Sequence, residues 1–248
     1  MCVCYIIPRF IAILDANVID TGQRFPFYLY DEKGYRRFDA ITDAGLAHFR
    51  NHYPDRMFTK QDLFYYCYGL LHSPDYRARF TANLAKQLPR IPAVSTAAGF
   101  WEFSQAGRAL ADLQLDYETI QPYPATLESS ATAPEHYRVE KMKYGKRKEN
   151  GKAVKDRATI HYNHRITVSD IPLGAYEYVV NGKSAIDWVM ERQCVKIDKA
   201  SGIRNDANDW AVETMGNPKY PLELLLRIIT VSLKTMEIVD NLPRLDMQ

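Results

Sequence analysis

The stretch that most limits how this chain can fold runs from His136 to Arg165. Ten of its thirty residues are Lys or Arg: Arg138, Lys141, Lys143, Lys146, Arg147, Lys148, Lys152, Lys155, Arg157 and Arg165. Three are acidic: Glu140, Glu149 and Asp156. The segment therefore carries +7 in a chain of net charge +2, so the other residues sum to −5. A loop so rich in cations cannot bury itself, so the middle of the segment is expected in solvent. His136–Tyr144 alternates, with Tyr137, Val139, Lys141 and Lys143 on one side and Arg138, Glu140, Met142 and Tyr144 on the other. Thr159–Val168 is rich in β-forming residues, and Gly145 and Gly151 bracket a charged loop between the two. The expectation is a basic β-hairpin spanning 131–170. Such a ribbon fits a duplex major groove; a solvated hairpin tip without function has the same composition.

The remainder can build a core. The chain has 248 residues, 46% apolar and 25% charged, an ordinary globular balance. Its 17 Tyr suit either a wet binding surface or the edge of a core. Cys2, Cys4, Cys67 and Cys194 contain no C-x-x-C pair, so no zinc site is expected, and they read as reduced thiols of a cytoplasmic protein. No apolar window is long enough for a membrane span, and Met1–Asp20, interrupted by Arg9 and Asp15, does not read as a signal peptide.

The pattern predicts an α+β fold: a helical core of about five to six helices packed with a small antiparallel sheet that bears the basic hairpin. Strands are expected over Cys2–Leu14, Phe25–Tyr30 and Tyr35–Phe38. Helices are expected over Thr42–Tyr53, over Lys60–His72 with Thr59 as cap, from Pro74 through Leu88, over Ala97–Leu115, Ala175–Val180 and Ala185–Cys194, and at 221–241. Lys199–Asn208 reads as a polar loop.

Catalytic patterns fail on inspection. Asn181-Gly182-Lys183-Ser184 resembles the end of a phosphate-binding loop but lacks its first glycine and preceding strand; as a helix start it could still hold one phosphate. Asn217-Pro218-Lys219-Tyr220 resembles the N-P-P-Y motif of adenine methyltransferases, with Lys where the second proline belongs, and reads more simply as a helix start. His161-x-x-His164 has ligand-like spacing, but on a strand the two rings point to opposite faces. No catalytic residue and no metal site is expected.

Four stretches in order carry a resemblance. They are Tyr68-x-Leu70-Leu71-His72-Ser73 with Gly69 inside it, Phe100-Trp101-x-Phe103-Ser104-x-Ala106-Gly107-x-x-Leu110-Ala111-x-Leu113, Val180-Asn181-Gly182-Lys183-Ser184-Ala185-Ile186-x-Trp188, and Lys196-x-Asp198-Lys199-x-Ser201-Gly202-Ile203-x-Asn205-Asp206-x-Asn208-Asp209-Trp210. Together they resemble the C-terminal specificity domain of type ISP single-polypeptide restriction-modification enzymes, over roughly Phe25 to Pro243. The resemblance implies one target recognition domain over 1–248, with 1–20 as the junction to an upstream methyltransferase domain. It implies duplex DNA as partner and no cofactor in this chain; S-adenosylmethionine, ATP and Mg would serve the nuclease, translocase and methyltransferase parts.

On charge rather than resemblance, Lys146, Arg147, Lys148, Lys152 and Lys155 are expected at phosphates, with Lys183 and Ser184 at the helix start. Lys141, Lys143, Tyr144, Arg157, Asn181, Arg204 and Asn205 are the candidates for base edges or a groove. Two other classes remain open: a protein-interaction module, and a stand-alone enzyme whose site carries no familiar motif.

Overall fold

The computed structural model describes residues 5–7, 10–12, 26–31, 33, 34, 36–84 and 86–247. The chain divides into two compact units: one of residues 1–116 with 237–248, the other of residues 117–236.

The first unit opens with two short antiparallel pairs. β1 (Tyr5–Ile7) pairs with β2 (Phe10–Ala12), and β3 (Tyr28–Tyr30) with β4 (Arg37–Asp39). The strand expected over Cys2–Leu14 is thus a hairpin where it is described, and the rest of 1–20 lies outside the described residues. Four helices follow: α1 (Asp43–His52), α2 (Lys60–His72), α3 (Pro74–Leu84) and α4 (Ala97–Leu115). Their starts are written locally. The Thr42, Thr59 and Thr96 hydroxyls accept from Gly45, Asp62 and Gly99 N–H, and Asp62 returns a bond to Thr59, closing a capping box. α3 ends a turn earlier than its apolar spacing suggested. Phe80 already leaves helical geometry, and Leu88 stands 46% exposed.

Aromatic packing makes this core. Tyr66 stacks on Phe100 with centroids 4.7 Å apart, and Tyr53, Phe58 and Phe49 close around them. The buried tyrosines keep partners for their hydroxyls. Tyr76, Tyr66 and Tyr53 donate to the carbonyls of Arg90, Pro92 and Val94 at 2.7, 2.6 and 2.6 Å. Three Tyr therefore pin one extended strap onto the helices, and burial pushes the Tyr53 phenol up to about 12.

His72, on the last turn of α2, has its pKa lowered to about 4, chiefly by burial. The unfolded chain takes up this proton near the ordinary imidazole value of 6.5, so between those values it binds more protons than the folded one. Stability is fully present above that window and declines as pH falls through it. His72 keeps some solvent access, so about 1–2 kcal/mol is the expected loss from pH 7.5 to pH 4.5. Urea midpoints at the two pH values check this, and His72→Gln should flatten the difference.

The second unit is built on an antiparallel sheet of order β5-β8-β7-β6, made of β5 (Thr126–Ser129), β6 (Lys143–Glu149), β7 (Lys152–His161) and β8 (Ile166–Ser169). Two more hairpins follow, β9 (Val179–Val180) with β10 (Lys183–Ser184) and β11 (Val195–Ile197) with β12 (Arg204–Asp206). α5 (Ala185–Arg192) lies between them, and α6 (Ala207–Glu213) and α7 (Tyr220–Asp240) come last, the final turn of α7 belonging to the first unit. The helix expected over Ala175–Val180 is instead a 3-10 turn at Leu173–Tyr176 followed by β9. Asn181 and Gly182 both take positive φ (49° and 78°), which is the two-residue turn that Asn-Gly favours between strands. Likewise the polar loop expected at Lys199–Asn208 includes β12 and the start of α6. The core joins Ile160, Tyr162, Ile166 and Val168 of the sheet to Ile186, Val189, Ala211, Leu225 and Ile229 of the helices. The α+β class holds, with seven α-helices among the described residues.

Buried Asn208 ties this core to the segment before the ribbon. Its Oδ1 accepts from Val139 N–H at 2.8 Å and its Nδ2 donates to the Val139 carbonyl at 2.9 Å. Asn208→Ala would leave both Val139 groups buried and unpaired, a loss of about 2–4 kcal/mol in urea unfolding.

Candidate nucleic-acid interface

The expected charged loop is strand, and this changes the geometry of the cations. β6 and β7 pair as far as Glu149 and Lys152, so the tip is only Asn150-Gly151, both at positive φ. The first strand starts at Lys143; residues 134–137 form a 3-10 turn rather than the alternating strand expected from His136. Register assigns the faces. Lys146 lies opposite Lys155 and Lys148 opposite Ala153; Arg147 lies opposite Val154 and Glu149 opposite Lys152. One face therefore presents Lys146, Lys148 and Lys155 with no carboxylate among them. The other mixes Arg147, which pairs with Glu149 at 3.6 Å, with Lys152 and Asp156. Like charges directly opposite disfavour strand pairing, so the lysine face is maintained against a small folding cost.

A wide bulge sets how this arm leaves the sheet. Pairing passes from Tyr144–Ile160 to Gly145–Asp156, so Arg157, Ala158 and Thr159 have no partner on β6. A Cβ on Gly145 would sit 2.9 Å from Thr159 Cβ, which only glycine avoids. The base of the arm is braced by polar contacts. The Tyr144 hydroxyl donates to Asp187 Oδ1 at 2.8 Å, the Ser184 hydroxyl to Asp187 Oδ2 at 2.7 Å, and the Tyr176 hydroxyl to the Arg157 carbonyl at 2.8 Å. Burial opposes charge on Asp187, but the bonds from Ser184 and Tyr144 and the nearby Lys155 and Arg157 hold its carboxyl below the usual range. Lys155 Nζ lies 3.9 Å from the Tyr144 ring centroid, and the Arg157 guanidinium 5.2 Å from that of Tyr176.

These contacts reassign several expected site residues. Ser184 is buried, its hydroxyl donates to Asp187 Oδ2 and accepts from Asp187 N–H, and the Asp187 carboxylate stands in the first turn of α5. Lys183 pairs with Glu191 and lies over Trp188. Tyr144 is half-buried and its hydroxyl is taken up by Asp187. Asn181 forms the β9–β10 turn. Arg204 pairs with Asp206 at 2.8 Å, a carboxylate also held by Arg138. Asn205 stays exposed on β12.

Below the arm lies an open groove of about 740 Å³. Lys141 and Lys143 line it, as do Arg165, His136, His161 and His164. Asn163 shapes the turn beneath: its Nδ2 donates to the carbonyls of His136 and Arg138, and its Oδ1 accepts from Arg165 and Ile166 N–H. That turn corrects the reading of His161 and His164. β7 ends at His161, so His164 swings back onto the same groove instead of the opposite face. No metal-ligating cluster occurs among the described residues. Arg165 and the two histidines were not expected in a site; the Asn163-His164-Arg165 turn before a strand was the available signal.

The comparisons with known proteins agree with one another. A family model described as the type ISP C-terminal specificity domain matches residues 10–224. The chain is similar in structure to a nuclease-deletion mutant of the type ISP restriction-modification enzyme LlaGI in complex with a DNA substrate mimic (39% identity, TM-score 0.69, covering 90% of this chain and 15% of that one). It is also similar to the ATP-dependent type ISP restriction-modification enzyme LlaBIII bound to DNA (34% identity, TM-score 0.72, 97% and 14%) and to DrdV in a DNA complex (28%, 0.75, 96% and 23%). No curated protein matches. The chain thus spans about one seventh of the type ISP enzymes it resembles. On a family match that covers most of its length, this chain belongs to the type ISP C-terminal specificity domain family.

Proposed function

We propose that this chain binds duplex DNA and supplies the sequence recognition of a longer restriction-modification polypeptide, without catalytic activity of its own. The observation that carries the reading is the two-faced arm: Lys146, Lys148 and Lys155 share one ribbon face and make no ion pair among the described residues. Lysines gathered on one ribbon face without an ion pair match a phosphate backbone better than a discrete acidic partner, and Lys155 is steered there by the Tyr144 ring. Lys141, Lys143 and Arg165 add cations to the groove, which Glu135 and Glu140 also line, and Lys143 alternates onto the ribbon face opposite the three lysines. Phosphate contacts on the arm would fix register, and groove-facing side chains would read base edges. Within the longer enzyme, a methyltransferase domain would be the neighbour that receives the adenine, and S-adenosylmethionine, ATP and Mg would belong to those other parts. No helix among the described residues is long and apolar enough to cross a membrane, and a DNA substrate assigns the chain to the cytoplasm.

The test is anisotropy of a labelled mixed-sequence duplex over a range of salt. With about five phosphates neutralised, log K against log salt should slope near −4.5. Binding that ignores salt, or no binding at low salt, would reject the reading.

A further inference from the structure

The β11–β12 hairpin differs from the basic arm in what it exposes. Ile197 and Ile203 each stand 60% exposed beside its tip. The tip is ordered from within. Asp198 Oδ1 accepts from Ala200 and Ser201 N–H and from the Ser201 hydroxyl, Asp198 N–H donates to the Ile203 carbonyl, and Gly202 closes the turn at φ 71°. The base is held as firmly: Asp206 takes both Arg138 and Arg204, and Val195 N–H donates to the Glu140 carbonyl at 3.1 Å. The Asp206 carboxylate is buried under the two arginines, while Asp198 stays at the surface with Oδ1 taken up by the turn. Lys196 and Lys199 make no ion pair, and the Asn205 amide no hydrogen bond, among the described residues.

Register sorts these groups. Lys196 lies opposite Asn205 and Ile197 opposite Arg204. Alternation then puts Ile203, Asn205 and Lys196 on one face, and Ile197 with Arg204 on the other. Lys196 and Asn205 of the first face line an open hollow of about 310 Å³ with Trp210, Arg192 and the carboxylates of Glu191 and Asp206, which are paired with Lys183 and with Arg138 and Arg204.

We propose that this face reads A·T pairs in the major groove, with Ile203 against a thymine C5-methyl and Asn205 on the N6 and N7 edge of an adenine about two base steps away. The proposal rests on the duplex DNA reading above. The thymine methyl is the apolar group that the major groove displays, and a side-chain amide matches adenine bidentately. Side chains at i and i+2 of a strand lie about 6.8 Å apart, twice the roughly 3.4 Å rise of a duplex. Lys196 and Lys199 beside the isoleucine favour a polyanion, and two isoleucines on opposite faces suit a groove with two walls better than one flat protein surface.

The chain is first used to enrich bound sequences from random duplexes. In the enriched site each thymine is then replaced by deoxyuridine and each adenine by 7-deaza-adenine, one at a time. One deoxyuridine should weaken binding about fivefold. Ile203→Ser should weaken binding to the unmodified site by a similar factor and become indifferent to that replacement. Asn205→Ala should behave the same way toward one 7-deaza-adenine two steps off. Both side chains are exposed, so neither substitution threatens the fold. Enrichment with no sensitive thymine, or an Ile203→Ser protein that keeps the full deoxyuridine effect, overturns the proposal while leaving DNA binding intact. Unchanged affinity of Ile203→Ser also overturns it, and is the result expected if another part of a longer polypeptide covers the hairpin. No binding of any duplex removes the DNA reading, and this proposal with it.

Discussion

Gly107→Ala is expected to destabilise the first unit by about 4 kcal/mol or more, enough to abolish its cooperative unfolding transition at room temperature. The direction is opposite to helix propensity, which favours Ala over Gly by about 1 kcal/mol in an exposed helix. The reason is the crossing of α2 and α4. A Cβ on Gly107 would fall well inside contact distance of the Tyr65 carbonyl oxygen and 2.7 Å from Gly69 N, and one on Gly69 would meet the Phe103 carbonyl. Every clashing atom is backbone, so no rotamer change relieves it and the helices must separate. Separation would open the Tyr66–Phe100 stack and break the 2.8 Å bond from the Ser104 hydroxyl to the Asp62 carbonyl. Overpacking inside a close-packed core usually costs about 1–3 kcal/mol, and displacement of a whole helix pair exceeds that. Urea unfolding followed by circular dichroism measures it, with Gly45→Ala as control. Gly45 faces only the Thr42 hydroxyl at 3.3 Å, and its change should stay within about 1 kcal/mol. A Gly107→Ala protein as stable as the parent would show that the two helices are not packed this closely.

Neutralising one face of the arm is expected to remove most duplex binding, while neutralising the other removes little. Lys146→Gln, Lys148→Gln and Lys155→Gln together should reduce the salt slope by about 2.7 and affinity by about 100-fold near 0.1 M salt. Arg147→Gln with Lys152→Gln should cost about tenfold or less, because Arg147 pairs with Glu149 and Lys152 lies opposite it. The triple variant carries its own control for folding. The Lys146–Lys155 opposition is relieved while the Lys155 contact with the Tyr144 ring is lost, so its stability to urea should stay within about 1 kcal/mol of the parent, and binding lost at that stability is not unfolding. Equal losses from the two faces would mean that the ribbon acts as diffuse charge and not as an oriented surface.

The contrast between these two cases follows the range of the interactions. Helix starts are legible because they are written within three or four residues: Thr59 with Asp62 and Ser184 before Asp187. The Asn181-Gly182 turn is visible in the sequence but reads there as a helix break and a phosphate site, because the pairing of Val179 with Ser184 needs both strands in place. The ribbon was legible as basic and extended, yet its strands were placed too early at one end and its tip drawn too wide. A stretch rich in Lys and Arg resembles a loop by composition even when it pairs residue for residue.

What the sequence alone determined is the charge imbalance, the α+β class, the caps of α2 and α5 and the membership of a family. All of these depend on composition, short-range hydrogen bonds or ordered motifs. Only the tertiary structure decided which cations face together, because a register change of one residue turns every side chain of a strand over. It alone put His161 and His164 on one groove, joined Asn208 to Val139 across 69 positions, and engaged Ser184 and Tyr144 with Asp187. Those pairings join residues far apart in the chain, and their free energy exists only once the sheet has fixed where each partner stands.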